Sequence, residues 1–295
     1  MALTDTESVI DLIDQQRYPI HDPGNQKRAA LVERCRTDLR QNALCFLPGF
    51  LREHAVSLLA NEIQAMSARA LGNDHLRTAY SWLDNRGFGP DHPRSMLFRR
   101  KFKYIITDQI AEQAMIKALF MWQPLTDFVR DALGFKSLYR STCPTQSIQL
   151  NIMDEGDVLP WHFDTNDGVV SLLVEQADDG GEFQLAPYVR SEDNENYEMV
   201  MQAMQADPRV IVEPRMPAGT LILFNGRRSL HRVSPVGKTR KPRSIVLYSY
   251  DEQQDMKFPK KTQDRLRYPD PSPYKGAGTP ETASGFIDWE TGESV

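Results

Sequence analysis

Two residues apart, His162 and Asp164 stand in "LPWHFDTNDGVVSLLV". In an extended strand, side chains at i and i+2 point to one face, so imidazole and carboxylate would sit together. A second histidine comes later, in "GTLILFNGRRSLHRVSPV", where an apolar strand turns at Asn225-Gly226 and leads to His231. Two histidines and one carboxylate form the facial triad of a mononuclear non-haem iron(II) centre. Imidazole suits ferrous iron, the carboxylate offsets its charge, and three ligands on one face leave coordination positions open. An isolated His-X-Asp is commonly a structural or surface ion pair. What favours a metal is the order of parts: strand, His-X-Asp, strand, "GGEF", insertion, a strand from Gly219, then His231. The other histidines (His21, His54, His75 and His92) fall in helical or loop segments outside this pattern.

A cation follows. Arg243 lies twelve residues beyond His231 and enters the apolar run "SIVLYSY". A guanidinium there is costly unless paired, and a carboxylate matches its geometry bidentately. A small dicarboxylate, chelating iron at one end and meeting Arg243 at the other, satisfies both needs. A structural salt bridge to an internal acid is the alternative, and Arg240 competes from the polar turn "GKTRK".

The elements around these residues change period along the chain. Helical spacing covers Lys27 to about Arg40 and "LREHAVSLLANEIQAMSARAL", with a short buried strand "ALCFLPGF" between them. Residues 72–103 read as irregular. A helical block covers roughly 108–133, with Pro124 near the start of its last helix and Gly134 just past its end. Beyond Gly134 come "SIQLNIM", "VVSLLV", "GEFQLAP", "RVIVEP", "GTLILF" and "SIVLYSY", which predict strands of an antiparallel sandwich or barrel. The polar insertion 189–208 predicts a helical lid or a solvated loop. The tail after Asp255 reads as surface extension. The expectation is one domain over 1–295: a mainly helical part (about 1–134), a β core (about 135–251) and an extension (252–295).

Composition bounds the partners. The chain has 295 residues and a net charge of −5, which disfavours a nucleic-acid partner while leaving a local basic patch open. The three cysteines have no CxxC spacing, so neither a disulfide framework nor a zinc site is expected. An acidic N-terminus and the lack of a long apolar run predict a cytoplasmic protein without a membrane segment. A homodimer is compatible with the sequence.

The motifs "WHFD", "DGGEF", "GTLILFNGRRSLHRVSPV" and "PRSIVLYSYD" resemble the iron(II)/2-oxoglutarate-dependent oxygenases. The run from "LPGFL" through "HPRSMLF", "WQPLTDFVRDALG" and "LNIMDEGDVLPWHFD" is similar to the bacterial group of free amino-acid halogenases and related hydroxylases, over roughly residues 27–251. The resemblance implies an α+β fold, a double-stranded β-helix (jelly-roll, cupin-like) core with N-terminal helices packed on one sheet. It implies Fe(II), 2-oxoglutarate and O2 as cofactor and cosubstrates. His162, Asp164 and His231 would ligate iron, Arg243 would bind the distal carboxylate of 2-oxoglutarate, and Gln149 and Asn151 would line the pocket. In the halogenases of the group a small residue replaces the carboxylate ligand and chloride takes its place. Asp164 fills that position here, so the expectation is hydroxylation of an unactivated C–H in a free amino acid or amino-acid-derived small molecule. Leu247 and Ser249 stand where halogenases use polar groups for a cationic amino acid, and Ser249 remains a candidate substrate contact. Arg99 or Arg100, in "HPRSMLFRRKFKY", is the candidate grip on a substrate carboxylate; a solvated basic face is the alternative. The same chemistry could end in desaturation or cyclisation, or act on a carrier-bound or peptide substrate. A non-catalytic 2-oxoglutarate or metal sensor is the distant alternative.

Overall fold

Leu221 and Leu223 pack with helices, while their neighbours Ile222 and Phe224 belong to a separate cluster on the opposite face. That alternation, repeated across a sheet apolar on both faces, builds the fold. The computed structural model describes residues 8–80, 88–164 and 169–269. Its strands are β1 (Leu44–Leu47), β2 (Leu71–Arg77), β3 (Phe98–Ile105), β4 (Tyr139–Arg140), β5 (Ile148–Met153), β6 (Leu159–His162), β7 (Val169–Glu175), β8 (Phe183–Ala186), β9 (Thr220–Phe224), β10 (Leu230–Val233), β11 (Arg243–Tyr248) and β12 (Tyr250–Asp251). The helices are α1 (Val9–Leu12), α2 (Gln26–Asn42), α3 (Glu53–Met66), α4 (Met115–Met121), α5 (Gln123–Leu133), α6 (Tyr197–Met204) and α7 (Lys260–Arg267).

A seven-stranded sheet runs β1-β9-β7-β11-β5-β3-β2, and a three-stranded sheet runs β6-β10-β8. Every pairing between these strands is antiparallel. Leu173, Ile222, Phe224 and Ile245 of the large sheet share a cluster with Phe183 and Leu185 of the small one. The two sheets therefore face each other as a jelly roll, in agreement with the expected class. On the outer face of the large sheet, Leu150, Leu172, Leu221 and Val246 join Leu59, Ile63, Leu119 and Phe128 of α3–α5. On the outer face of the small sheet, Trp161, Ala186 and Leu230 receive Val200, Ala203 and Met204 of α6. The insertion thus docks one helix onto the jelly roll. No helix among the described residues is long and apolar enough to cross a membrane.

Three segments differ from the sequence expectations. The stretch 72–103 holds most of β2 and most of β3, which pair with each other and extend the large sheet through β5. Charges on both faces hid their period: Arg99, Lys101 and Lys103 alternate with Phe98, Arg100, Phe102 and Tyr104. "RVIVEP" forms no strand; Val212 makes one isolated bridge to Leu185, and the prolines that bracket it limit further pairing. The extension contributes α7, whose Leu266 carbonyl accepts a bond from the Tyr104 hydroxyl at 3.0 Å. The rest of the extension, 270–295, lies outside the described residues, as do 81–87 of the stretch read as irregular.

Candidate metal centre

β6 ends at His162, and its Cα partner across the small sheet is His231 of β10. This register brings the two rings to 4.1 Å between centroids. Asp164 follows just past β6, where its backbone N–H donates to the Gly226 carbonyl at 3.0 Å. One side-chain oxygen of Asp164 lies 3.2 Å from His231 Nε2 and the other 3.7 Å from His162 Nε2. Among the described residues, these three form the group whose donor atoms all fall within 4.8 Å of one another.

The histidines are oriented alike. His162 Nδ1 lies 2.8 Å from the Pro160 carbonyl, and His231 Nδ1 lies 3.0 Å from the Ser229 carbonyl. A carbonyl only accepts, so each Nδ1 carries a proton and each Nε2 is left facing Asp164. Fixing the tautomer through a second hydrogen bond is how metal-binding imidazoles are commonly aimed. Burial, reinforced by His231, holds the His162 ring far below its ordinary pKa, so it is neutral at pH 7. Burial alone would raise the Asp164 carboxyl, but His231, His162 and Arg77 outweigh it and bring it down to about 2. A neutral His162 and an ionised Asp164 are the protonation states in which these two groups bind a divalent cation.

Glycine makes room for the third ligand. A Cβ on Gly226 would lie 2.0 Å from Asp164 Oδ2 and 2.9 Å from its Cβ. Phe224 meets the His231 ring edge-on at 4.9 Å and Phe183 lies 6.0 Å from it, giving the site an apolar wall.

Arg243 opens β11 on the inner face and is 2% exposed. Its Nε is buried with no hydrogen-bond partner among the described residues. Burial lowers its pKa to about 10, and Glu182 is the acid that opposes the shift. A guanidinium with an uncommitted buried donor fits an incoming carboxylate. A Cβ on Gly181 would come within 3.1 Å of Arg243 Cδ, so that glycine too keeps space at the site. On the adjacent β5, Gln149 Nε2 donates to Asn151 Oδ1 at 2.7 Å, and Asn151 is opposite Ile245.

The substrate candidates separate. Arg99 faces outward, held by Asp74 through two 2.8 Å bonds, and is not brought to the site. Arg100 is opposite His75 on the inner side of the β2–β3 pair and lies within the electrostatic reach of Asp164. Ser249 lies past β11, its hydroxyl donating to the Gln146 carbonyl at 2.6 Å, away from the triad. Sequence reasoning missed Arg77 and Arg265, whose charges add to burial in lowering the pKa of Arg100. The signal for Arg77 was its position two residues from His75 in β2; nothing in the tail marked Arg265. A cavity of about 450 Å³ lies elsewhere, among Arg17, Arg34, Asp38, Phe46 and Val212, and no triad residue lines it.

The model of the family described as Halogenase D matches residues 27–267. The chain belongs to that family. No protein of curated function matches it. Among solved structures, the family member is similar to the non-haem alpha-ketoglutarate-dependent epimerase SnoN of nogalamycin biosynthesis (12% identity, TM-score 0.51, 76% of this chain and 84% of that one). It is similar to the carbocyclase SnoK of the same biosynthesis (12% identity, TM-score 0.51, covering 75% and 85%). AviO1 from Streptomyces viridochromogenes Tue57 matches at 12% identity and TM-score 0.50, over 77% and 95%. At such identities these are likenesses of fold.

Proposed function

We infer that this halogenase D family member is an iron(II)/2-oxoglutarate-dependent dioxygenase that hydroxylates an unactivated C–H of a free amino acid or amino-acid-derived small molecule. The observation that carries the reading is the Asp164 carboxylate, held beside both histidine Nε2 atoms at 3.2 and 3.7 Å. In a halogenase of the group this position would be vacated for chloride. Here an ionised carboxylate fills it, so the reading is hydroxylation.

When bound, ferrous iron with 2-oxoglutarate supplies the oxidising power, ending in succinate and carbon dioxide. The chain does the rest. His162, Asp164 and His231 would hold the metal, their donor atoms lying within 4.8 Å of one another. Arg243 would receive the distal carboxylate of 2-oxoglutarate through a buried, charge-assisted pair. Phe183 and Phe224 exclude water beside His231. Arg100, opposite His75, would orient an anionic group of the substrate.

Anaerobic titration of the full chain with ferrous iron and 2-oxoglutarate tests the reading. A weak visible charge-transfer band is expected from the parent and not from Asp164→Ala. Coupled succinate release should give a product that has gained oxygen, unchanged by added chloride. An Asp164→Ala variant with full iron content and full turnover would sink the assignment.

A further inference from the structure

His162 and His231 are Cα partners in the β6–β10 ladder, but Asp164 lies past the end of β6. The bond from its N–H to the Gly226 carbonyl, at 3.0 Å, ties it to the turn between β9 and β10. The same turn orients a second ligand, because the Ser229 carbonyl accepts from His231 Nδ1. Two of the three ligands therefore depend on where residues 225–229 sit. The turn begins at Asn225, whose N–H donates to the Ala43 carbonyl at 2.9 Å. Beyond that point the segment entering the insertion holds it. The Tyr188 N–H donates to Ser229 Oγ at 3.1 Å, the Arg190 N–H to the Arg228 carbonyl at 3.3 Å, and Arg190 Nε to the Arg227 carbonyl at 2.8 Å.

Arg190 also reaches the other loop. Phe163 stands between His162 and Asp164, and its ring joins Trp161 in the outer cluster that receives α6. The Arg190 guanidinium carbon lies 3.8 Å from the Phe163 ring centroid, and Nη1 meets Glu195 at 3.3 Å. One side chain thus touches the residue before Asp164 and the residue after Gly226. A guanidinium suits this task, because it donates in its plane while its face stacks on a ring. The Arg190 side chain is 15% exposed, so water competes little for these contacts. The docking of α6 is a separate matter, carried by Val200, Ala203 and Met204.

We propose that Arg190 is a positioning residue for the metal centre: it clamps Phe163 against residues 227–228 and so fixes the Asp164 carboxylate beside His162 and His231. The proposal rests on the oxygenase reading and adds a residue to its machinery. It gives the insertion a role at the triad without placing it over the pocket. Removing Arg190 loosens both segments that set the third ligand, while the β6–β10 ladder keeps the histidines paired.

The test titrates the full chain anaerobically with ferrous iron, alone and with excess 2-oxoglutarate. A parent that shows no charge-transfer band removes the oxygenase reading and this role with it; every later outcome bears on Arg190 alone. Arg190→Met, which keeps length and apolar bulk, should bind ferrous iron about tenfold more weakly, the low end for a metal ligand that loses a supporting contact. Its band at saturating iron should shift or weaken. Arg190→Lys keeps a cation over Phe163 and should lose less. Val200→Ala opens a cavity under α6 and lowers Tm without touching either segment, so its iron affinity and band should match the parent. Phe163→Leu removes the ring, and combined with Arg190→Met it should cost less than the sum of the two. An Arg190→Met protein, folded by circular dichroism, with parental iron affinity and band overturns the proposal. So does a Val200→Ala protein that loses iron as Arg190→Met does, because loosening the insertion would then suffice. If Arg190→Met does not fold, Arg190→Lys and Phe163→Leu carry the same comparison against Val200→Ala.

Discussion

Gly226→Ala is the sharpest probe of how the third ligand is held. A Cβ there would stand 2.0 Å from Asp164 Oδ2, 2.8 Å from Cγ and 2.9 Å from Cβ. Non-bonded approach needs roughly 3 Å or more, so the carboxylate must retreat by about 1 Å. A rotamer change cannot absorb this, because the aspartate Cβ is crowded as well. Backbone retreat would strain the bond from Asp164 N–H to the Gly226 carbonyl, now 3.0 Å. Removing support for a metal ligand commonly costs about tenfold to a hundredfold in metal affinity, or about 1.4–2.8 kcal/mol. Ferrous titration in the presence of 2-oxoglutarate, with circular dichroism to confirm folding, measures the change. Gly156→Ala is the control: its φ is +80° and nothing lies within 4 Å, so it should cost about 1–2 kcal/mol of stability and leave iron binding alone. A folded Gly226→Ala that binds iron as tightly as the parent would refute the argument that this glycine keeps Asp164 in place.

Arg243→Met should weaken 2-oxoglutarate about tenfold to a hundredfold while iron binding and Tm are held or raised, since an apolar side chain removes a buried charge. A sharp fall in Tm with unchanged 2-oxoglutarate affinity would instead make Arg243 a structural partner of Glu182. Burial and the neighbouring Arg100 and Arg77 lower the His75 pKa from 6.5 to about 3. The unfolded chain therefore takes up this proton first, and the His75 contribution to stability is lost as pH falls from about 6.5 towards 3. Denaturant melts of His75→Gln should show a shallower acid loss across that window; an identical pH profile would discount the shift.

How much of this was legible in the sequence depended on where the physics was local. The expected strand geometry put His162 and Asp164 on one face, but the strand ends at His162, and it is the contact with the Gly226 loop that turns the carboxylate inward. The apolar strands of the core announced themselves by period, and Arg243 stood out as a cation entering one of them. β2 and β3 did not, because their inner face carries Arg77, His75 and Arg100 among its apolar residues while the outer face carries paired charges. A sequence cannot distinguish a cation solvated outside from one turned into a recess; Arg99 and Arg100 are adjacent and have opposite fates.

The sequence by itself determined the donor types and their order along the chain, because these follow from residue chemistry and strand periodicity. Tertiary structure alone decided that His162 and His231 are opposite one another, that glycines at 226 and 181 leave room for ligand and guanidinium, and that α7 docks on β3 through the Tyr104 hydroxyl. Those are distances between residues remote in sequence. They are set by sheet register and helix docking, which no local pattern of residues encodes.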